Sequence, residues 1–275
     1  MISVPIVIPY FRSPDALEKC LAAIRDQEFV KPEVFIRDNS EDNILFTRAV
    51  NEGLRQFSFK GEAEFILVLN QDAYMRPLCL SHMVKIMQDY PKAGIVIPVS
   101  VTPDNQVTSF AALQAYPWGM SRGGSLAEVP QEPYGTYWAN GACMLLRVSM
   151  IHEIGLLDEN MRFICSDADY SFTARTRGWD VMVAPNALVE HALNSSGHVS
   201  NPMIEEAKLS DQLYFGQKWL SGDLYRHLAF EGQNLAPNNV ADEIAKSRGN
   251  LTAMRQYLAA SQANLNSENG NDGSR

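Results

Sequence analysis

The sequence has little of what marks the simplest functional classes. It holds 4 cysteines, Cys20, Cys79, Cys143 and Cys165, widely scattered and without a CxxC pair. That spacing argues against a disulfide framework or a zinc site and for reduced thiols. Basic residues are in the minority, 23 Lys and Arg against 32 Asp and Glu, for a net charge of -9. That sign argues against sequence-independent nucleic-acid binding and, more weakly, against a chain held on anionic lipid by charge alone. Long apolar runs are missing: Val4 to Pro9 is far shorter than the roughly 20 residues a membrane span requires. The first residues show no basic n-region and no small-residue cleavage site, so no signal peptide is expected. The compartment read from these absences is the cytoplasm. Two phosphate-binding solutions are missing as well, since no GxGxxG follows a strand-like run and no GxxxxGK[ST] occurs.

What is present is a sizeable core. Apolar residues make up 46% of 275 residues, enough for one large α/β domain with an appendage. Strand-like and helix-like patterns alternate through the first hundred residues. Ser3 to Ile8 reads as a buried strand, and Ser13-Pro14-Asp15 opens a helix with Ser13 as N-cap and Pro14 at its first position. Glu33 to Arg37 is a second strand and Phe46 to Phe57 a second helix. Phe65 to Leu69 is a third strand, apolar enough for burial on both faces. Leu80 to Tyr90 is helical and Gly94 to Val99 is a fourth strand. This order predicts a mostly parallel sheet flanked by helices.

Residues 100–137 lose that rhythm and read as a long irregular segment, a candidate flap. Regular structure resumes with a strand over Asn140 to Arg147, helices over Val148 to Glu153 and Asp169 to Arg177, and a short strand over Val181 to Ala184. From Pro202 only helical patterns follow, with Val240, Ile244, Leu251, Met254 and Leu258 at helical spacing. These divide the chain into a catalytic unit over 1–202, a helical extension over 203–262 and a disordered tail over 263–275. The extension carries no basic stripe, so it is expected to pack on the catalytic unit or on another subunit rather than on a membrane. A homo-oligomer through these helices is therefore an alternative to a simple covering role.

Open parallel sheets bind ligands beyond the carboxyl ends of their strands. Asp38 follows the second strand and Asn70-Gln71-Asp72 the third. A divalent cation would turn such a carboxylate into a phosphate-binding device; the plainer reading of Asp72 is a turn or a cap. Asp167 and Asp169 precede or open a helix. There, a cap held by Ser166 or Asp167 and a general base are both open readings. His191 is by residue type either a satisfied structural histidine or a ligand. Trp118, Tyr137 and Trp138 are either loop anchors or stacking platforms for a sugar or base.

Taken together, these stretches resemble the family-2 glycosyltransferases of the GT-A fold, including bacterial rhamnosyltransferases. Val7-Ile8-Pro9-Tyr10-Phe11 is similar to the family's opening strand, Asp38-Asn39-Ser40 to its nucleotide loop, and Leu69-Asn70-Gln71-Asp72 to its metal motif. Asn140 to Arg147 is similar to its acceptor-side strand. The likeness then runs from Gly155 through Ser166-Asp167-Ala168-Asp169 and Arg175 to Gly178, Pro185 and His191. The resemblance implies an inverting transferase using a UDP- or dTDP-sugar donor, Mn²⁺ or Mg²⁺, and a hydroxyl of a glycan or lipid-linked acceptor. It implies donor contacts at Pro9, Asp38, Asn70 and Asp72, metal ligation at Asp72 and His191, and a catalytic base at Asp167. A cytoplasmic enzyme with such an acceptor works at the inner face of a membrane.

The sequence departs from the family at Arg12, where Asn is common, at Leu45, where Gly is common, and at Ser166, which replaces a Glu. Two other readings follow: a catalytically silent GT-A module, and a metal-dependent nucleotidyltransferase. The latter normally carries a Gly-rich signature after its first strand, whereas Pro9 to Ser13 holds no Gly.

Overall fold

The computed structural model describes residues 2–114, 120–191, 201–220, 245, 246, 248–261 and 263. Trp118, Val240 and Ile244 lie outside the described residues. The elements run β1 (Ile2–Tyr10), α1 (Pro14–Arg25), β2 (Val30–Asp38), α2 (Leu45–Lys60), β3 (Phe65–Leu69), β4 (Ala73–Met75) and α3 (Cys79–Asp89). They continue with β5 (Ala93–Val101), β6 (Val107–Gln114), β7 (Met120–Gly124), β8 (Tyr134–Gly135), β9 (Cys143–Arg147), α4 (Val148–Ile154), α5 (Ser166–Thr176), β10 (Asp180–His191) and α6 (Pro202–Phe215).

The central path of the sheet is β2-β1-β3-β9-β5-β10-β4. β1, β2 and β3 pair in parallel, as do β5 and β10. β9 and β4 run against them. Every residue of β3 and β5 is buried, because helices cover both faces. Alternation along β3 divides its side chains between two cores. Phe65, Leu67 and Leu69 join Cys20, Ile24, Leu80 and Met83 of α1 and α3. Ile66 and Val68 join Val50, Leu54, Ile151 and Tyr170 of α2, α4 and α5. α2 approaches β1 closely at Gly53, where an added Cβ would lie 2.5 Å from Val7 Cγ1.

The direction of β9 decides where the site forms. Its first residue, Cys143, pairs with the last of β3, Leu69. The turn over 140–142 that leads into β9 therefore lies beside the loop that leaves β3, and the Asn70 N–H donates to the Ala142 carbonyl at 2.8 Å. The strand is shorter than the expected span from Asn140, because Asn140 to Ala142 form this turn. β10 is longer than expected. It continues past Pro185 with a register shift between Ala184 and Leu188, the kind of irregularity that tolerates a proline within a strand. Its last residues pair with β4, placing His191 opposite Ala73.

Within residues 100–137 the structure adds order that the composition concealed: β6 and β7 form an antiparallel pair beside β5. α1 begins at Pro14 as expected, but Ser13 contributes no side-chain cap. α5 starts at Ser166, three residues before the expected Asp169, and the residue ahead of it is Cys165 in a left-handed conformation, φ 67°. Neither Ser166 nor Asp167 is its N-cap. α6 packs on α5 through Phe215 and, in the turn after it, Trp219, both against Phe172. The helix over 248–261 touches α6: Leu251 is buried and Arg255 pairs with Glu206 at 2.9 Å.

Candidate active site

The carboxyl ends of β1, β2 and β3 are tied into one rim. The Phe11 N–H donates to the Gln71 side-chain oxygen at 2.6 Å, and the Gln71 amide donates back to the Phe11 carbonyl at 3.1 Å. The Asn39 N–H donates to the Tyr10 carbonyl, and Arg12 Nε to the Ser40 carbonyl at 3.0 Å. Pro9 is half-buried beneath this rim. Arg37 holds the loop after β2 from below, pairing with Asp42 at 2.6 Å and Glu52 at 2.7 Å. Asp38 is exposed at the rim and accepts the Ser40 N–H at 2.8 Å. The hydrogen bonds from Ser40 lower its carboxyl pKa. Arg12, the departure from the family pattern, takes a left-handed backbone, φ 43°, and its guanidinium lies 5.3 Å from the Phe11 ring centroid.

Asp72 and His191 come together although 119 residues separate them in sequence. The Asp72 loop follows β3, His191 ends β10, and the pairing of β10 with β4 sets Nε2 of the ring 3.6 Å from Asp72 Oδ1. Burial and the Asp72 carboxylate push the nearby Cys20 thiol up to about 12. Burial and Asp72 also raise the Tyr74 phenol. Among the described residues the Asn70 Oδ1 and the His191 Nδ1 are buried without a hydrogen-bond partner. Among the described residues no group of three or more His, Cys, Asp or Glu converges on a metal position. One carboxylate nonetheless suits a hard cation that completes its shell with phosphate oxygens and water, and the imidazole beside it is a softer donor better matched to a transition metal than to Mg²⁺.

Asp167 meets this group through the turn before β9. Its Oδ2 accepts the Gly141 N–H at 2.8 Å and its Oδ1 the Ala168 N–H at 2.8 Å. Gly141 has little room: a Cβ there would meet Asp167 Oδ2 at 3.2 Å and the Phe46 ring at 3.3 Å. The helix start does not dominate its titration. Burial raises the Asp167 carboxyl pKa, although the two N–H groups pull the other way. Asp169 is separated from it in role. Its Oδ1 accepts from Trp219 Nε1 at 2.7 Å and pairs with Lys218 Nζ at 2.7 Å, and the residue is 2% exposed.

Ser166 is buried and its hydroxyl accepts from the Thr47 hydroxyl at 2.9 Å. The departure at this position is thus taken up by packing against α2. The Tyr137 ring lies 5.4 Å from the Arg175 guanidinium carbon, and Trp138 Nε1 is buried without a hydrogen-bond partner among the described residues. Three residues escaped the sequence reading altogether: Asp211, Lys218 and Trp219, which reach the segment around Asp167 from the helical region after Pro202. Asp211 and Lys218 carry no local signal, because Glu205, Glu206 and Lys208 charge the same helical run.

A family model described as "Glycosyltransferase like family 2" matches residues 46–203. The N-acetylglucosaminyl-diphospho-decaprenol L-rhamnosyltransferase of Mycobacterium tuberculosis is 24% identical over 181 residues, which cover 56% of this chain and 58% of that protein. The match spans less than two thirds of that relative's length. Among solved structures, GalNAc-T7 with UDP, GalNAc and Mn²⁺ superposes with a TM-score of 0.61 at 11% identity, over 82% of this chain and 49% of the other. Staphylococcus aureus TarS 1–349 superposes with a TM-score of 0.51 at 13% identity, over 91% and 71%. With the family match over more than half of its residues and the fold of these transferases, the chain belongs to the family-2 glycosyltransferases of the GT-A fold.

Proposed function

We propose that this protein is an inverting, metal-dependent transferase that moves a sugar from a nucleotide-sugar donor to a hydroxyl of a glycan or lipid-linked acceptor. The observation that carries the reading is the turn over 140–142: it bonds Asp167 through Gly141 and the Asp72 loop through Ala142 and Asn70. A base and a metal-type carboxylate are thereby held at one end of one sheet.

In this reading Pro9, Asp38 and Asn70 line the donor site, with Asp38 at the base or ribose. Asp72 and His191 would hold Mn²⁺ or Mg²⁺, which when bound offsets the charge on the leaving diphosphate. Asp167 accepts the proton of the acceptor hydroxyl. The hydroxyl oxygen bonds to the anomeric carbon from the face opposite the leaving group, the bond from that carbon to the phosphate oxygen breaks, and configuration inverts. The proton stays on Asp167 until solvent removes it. A raised pKa suits that duty, since a more basic carboxylate takes a proton more readily. The relative's name supports a rhamnosyl donor and a sugar-diphospho-lipid acceptor. Among the described residues no helix is long and apolar enough to cross a membrane. A cytoplasmic protein visiting a lipid-linked acceptor at the membrane face fits this.

The test is nucleotide release from dTDP-rhamnose, UDP-glucose and UDP-N-acetylglucosamine, with Mn²⁺ and a short-chain N-acetylglucosaminyl-diphospho-lipid. Acceptor-dependent release of nucleoside diphosphate is expected with at least one donor. Pyrophosphate release from a nucleoside triphosphate instead would favour the nucleotidyltransferase reading, and neither would favour a silent module.

A further inference from the structure

The segment 155–165 that leads into Asp167 has no regular structure, yet it is held from two sides. From α2, the Asn51 amide donates to the Leu157 carbonyl at 2.9 Å, and the Thr47 N–H donates to the Arg162 carbonyl at 3.1 Å. From α6, Asp211 Oδ2 accepts the N–H groups of Phe163 at 2.7 Å and Ile164 at 3.0 Å. The turn after α6, Gly216–Leu220, widens to π geometry. From it Lys218 Nζ bridges Asp158, within the segment, at 2.9 Å and Asp169, in the first turn of α5, at 2.7 Å.

These contacts surround a non-glycine residue with a left-handed backbone. Cys165 takes φ 67° directly after the two residues bonded by Asp211 and directly before α5. α5 has no side-chain cap of its own. Its start is therefore defined from outside, by Asp211 ahead of it, Thr47 at Ser166, and Lys218 with Trp219 at Asp169.

A helix that merely covered apolar surface would need Phe215 and Trp219 and no buried charge. Here Asp211 is 0% exposed and Asp169 2%. Removing carboxylates from water is costly, and apolar residues of similar size often serve stability as well or better. Burial opposes the charge on Lys218, but Asp169 and Asp158 outweigh it and its ammonium pKa is raised. Burial raises the carboxyl pKa of Asp169 and of Asp211, so the ionic link of the clamp is the Lys218 bridge, while Asp211 acts through directional hydrogen bonds to the turn that precedes Asp167.

We propose that Asp211 and Lys218 are positioning residues of the transfer reaction: Asp211 fixes the left-handed turn at Cys165, Lys218 fixes the first turn of α5, and together they aim the Asp167 carboxylate. Residues 203–220 are then part of the catalytic unit rather than of an appendage. The inference rests on reading Asp167 as the base, and its geometric core can be tested separately from that reading.

The Gly141 N–H reports where Asp167 points, because Asp167 Oδ2 is its acceptor. Amide exchange at Gly141 is compared in the full chain for wild type, Lys218→Met, Lys218→Arg, Asp211→Asn and Asp167→Ala. Asp167→Ala sets the rate without the acceptor. In Lys218→Met and Asp211→Asn, exchange at Gly141 should rise about tenfold toward that rate while β3 amides keep their protection. Lys218→Arg should restore it. Wild-type protection at Gly141 in both variants, or a rise shared equally by β3, overturns the proposal. Kinetics then separate the two ideas, with dTDP-rhamnose, Mn²⁺ and the lipid acceptor above. If Lys218 acts through Asp167, Lys218→Met lowers kcat with donor KM unchanged, and adds little in an Asp167→Asn background. Losses that multiply overturn positioning. An Asp167→Asn enzyme at wild-type rate overturns the base itself, whatever Gly141 shows.

Discussion

Burial and hydrogen bonding pull the Asp167 carboxyl in opposite directions, and burial wins. Two consequences differ in sign. A base must be ionised, so transfer should fall as pH drops through a value above the ordinary aspartate pKa of about 3.9. For folding, a raised native pKa means the protonated group favours the folded chain. That contribution is full below the unfolded pKa and is lost as pH rises through the native one. A pH profile of kcat/KM checks the first, and melting at pH 4 to 7 the second. Asp167→Asn should cut transfer by about 10²–10⁴ with donor binding kept. It is not an N-cap, so the substitution does not simply preserve a cap. An amide in its place keeps one oxygen acceptor for the N–H groups of Gly141 and Ala168 and turns a donor toward the other, which should cost about 1–3 kcal/mol of stability. Asp169→Asn removes the charge facing Lys218 and should show first as lower thermal stability rather than as loss of donor binding. Asp72→Asn should weaken nucleotide-sugar binding in Mn²⁺ and change little in EDTA, with His191→Ala smaller in the same direction; calorimetry with UDP-glucose reads both.

At the level of elements, close approaches of backbone make the sharpest predictions. Gly53→Ala places a methyl 2.5 Å and 2.6 Å from the two Val7 methyls and 3.1 Å from Phe35. It should cost about 1–3 kcal/mol by overpacking α2 against β1, read as a lower melting midpoint. Gly141→Ala presses on Asp167 instead, so its expected signature is slower transfer with a nearly unchanged midpoint. The strands that build the sheet were legible because their chemistry is local: Phe65 to Leu69 is apolar without a break, and such a run is stable when covered on both faces. β10 was legible only in its first half, since Pro185 reads as a stop and only the pairing with β5 and β4 carries the strand beyond it. β6 and β7 were hidden by the polar residues within them and by Gly123 and Gly124 at the end of β7. The carboxylates at the strand ends could be singled out from sequence, but not what surrounds them. Asp211 lies 48 residues from Phe163 and Lys218 carries no motif, so their meeting with the Asp167 segment depends on tertiary packing alone.

For the whole molecule, the proposal gives the helical region after Pro202 a part in the catalytic unit. Phe215 and Trp219 are 2% and 3% exposed, and each fully buried large apolar side chain contributes about 1.5–3 kcal/mol. A chain ended at residue 202 loses both, together with Asp211 and Lys218, and should fail to melt cooperatively in calorimetry. The net charge of -9 is expected to leave donor binding possible only with local compensation, so binding should depend steeply on the divalent cation. The central claim is that a base at Asp167 and a metal-type carboxylate at Asp72 act on one nucleotide sugar. Its most direct test is acceptor-dependent nucleotide release from dTDP-rhamnose and the UDP-sugars, measured for wild type, Asp167→Asn and Asp72→Asn, each in Mn²⁺ and in EDTA. Wild type is expected to release nucleotide in Mn²⁺ alone, Asp167→Asn to bind donor but barely turn it over, and Asp72→Asn to bind donor poorly. Wild-type turnover that survives full chelation, or Asp167→Asn at the wild-type rate, would contradict it.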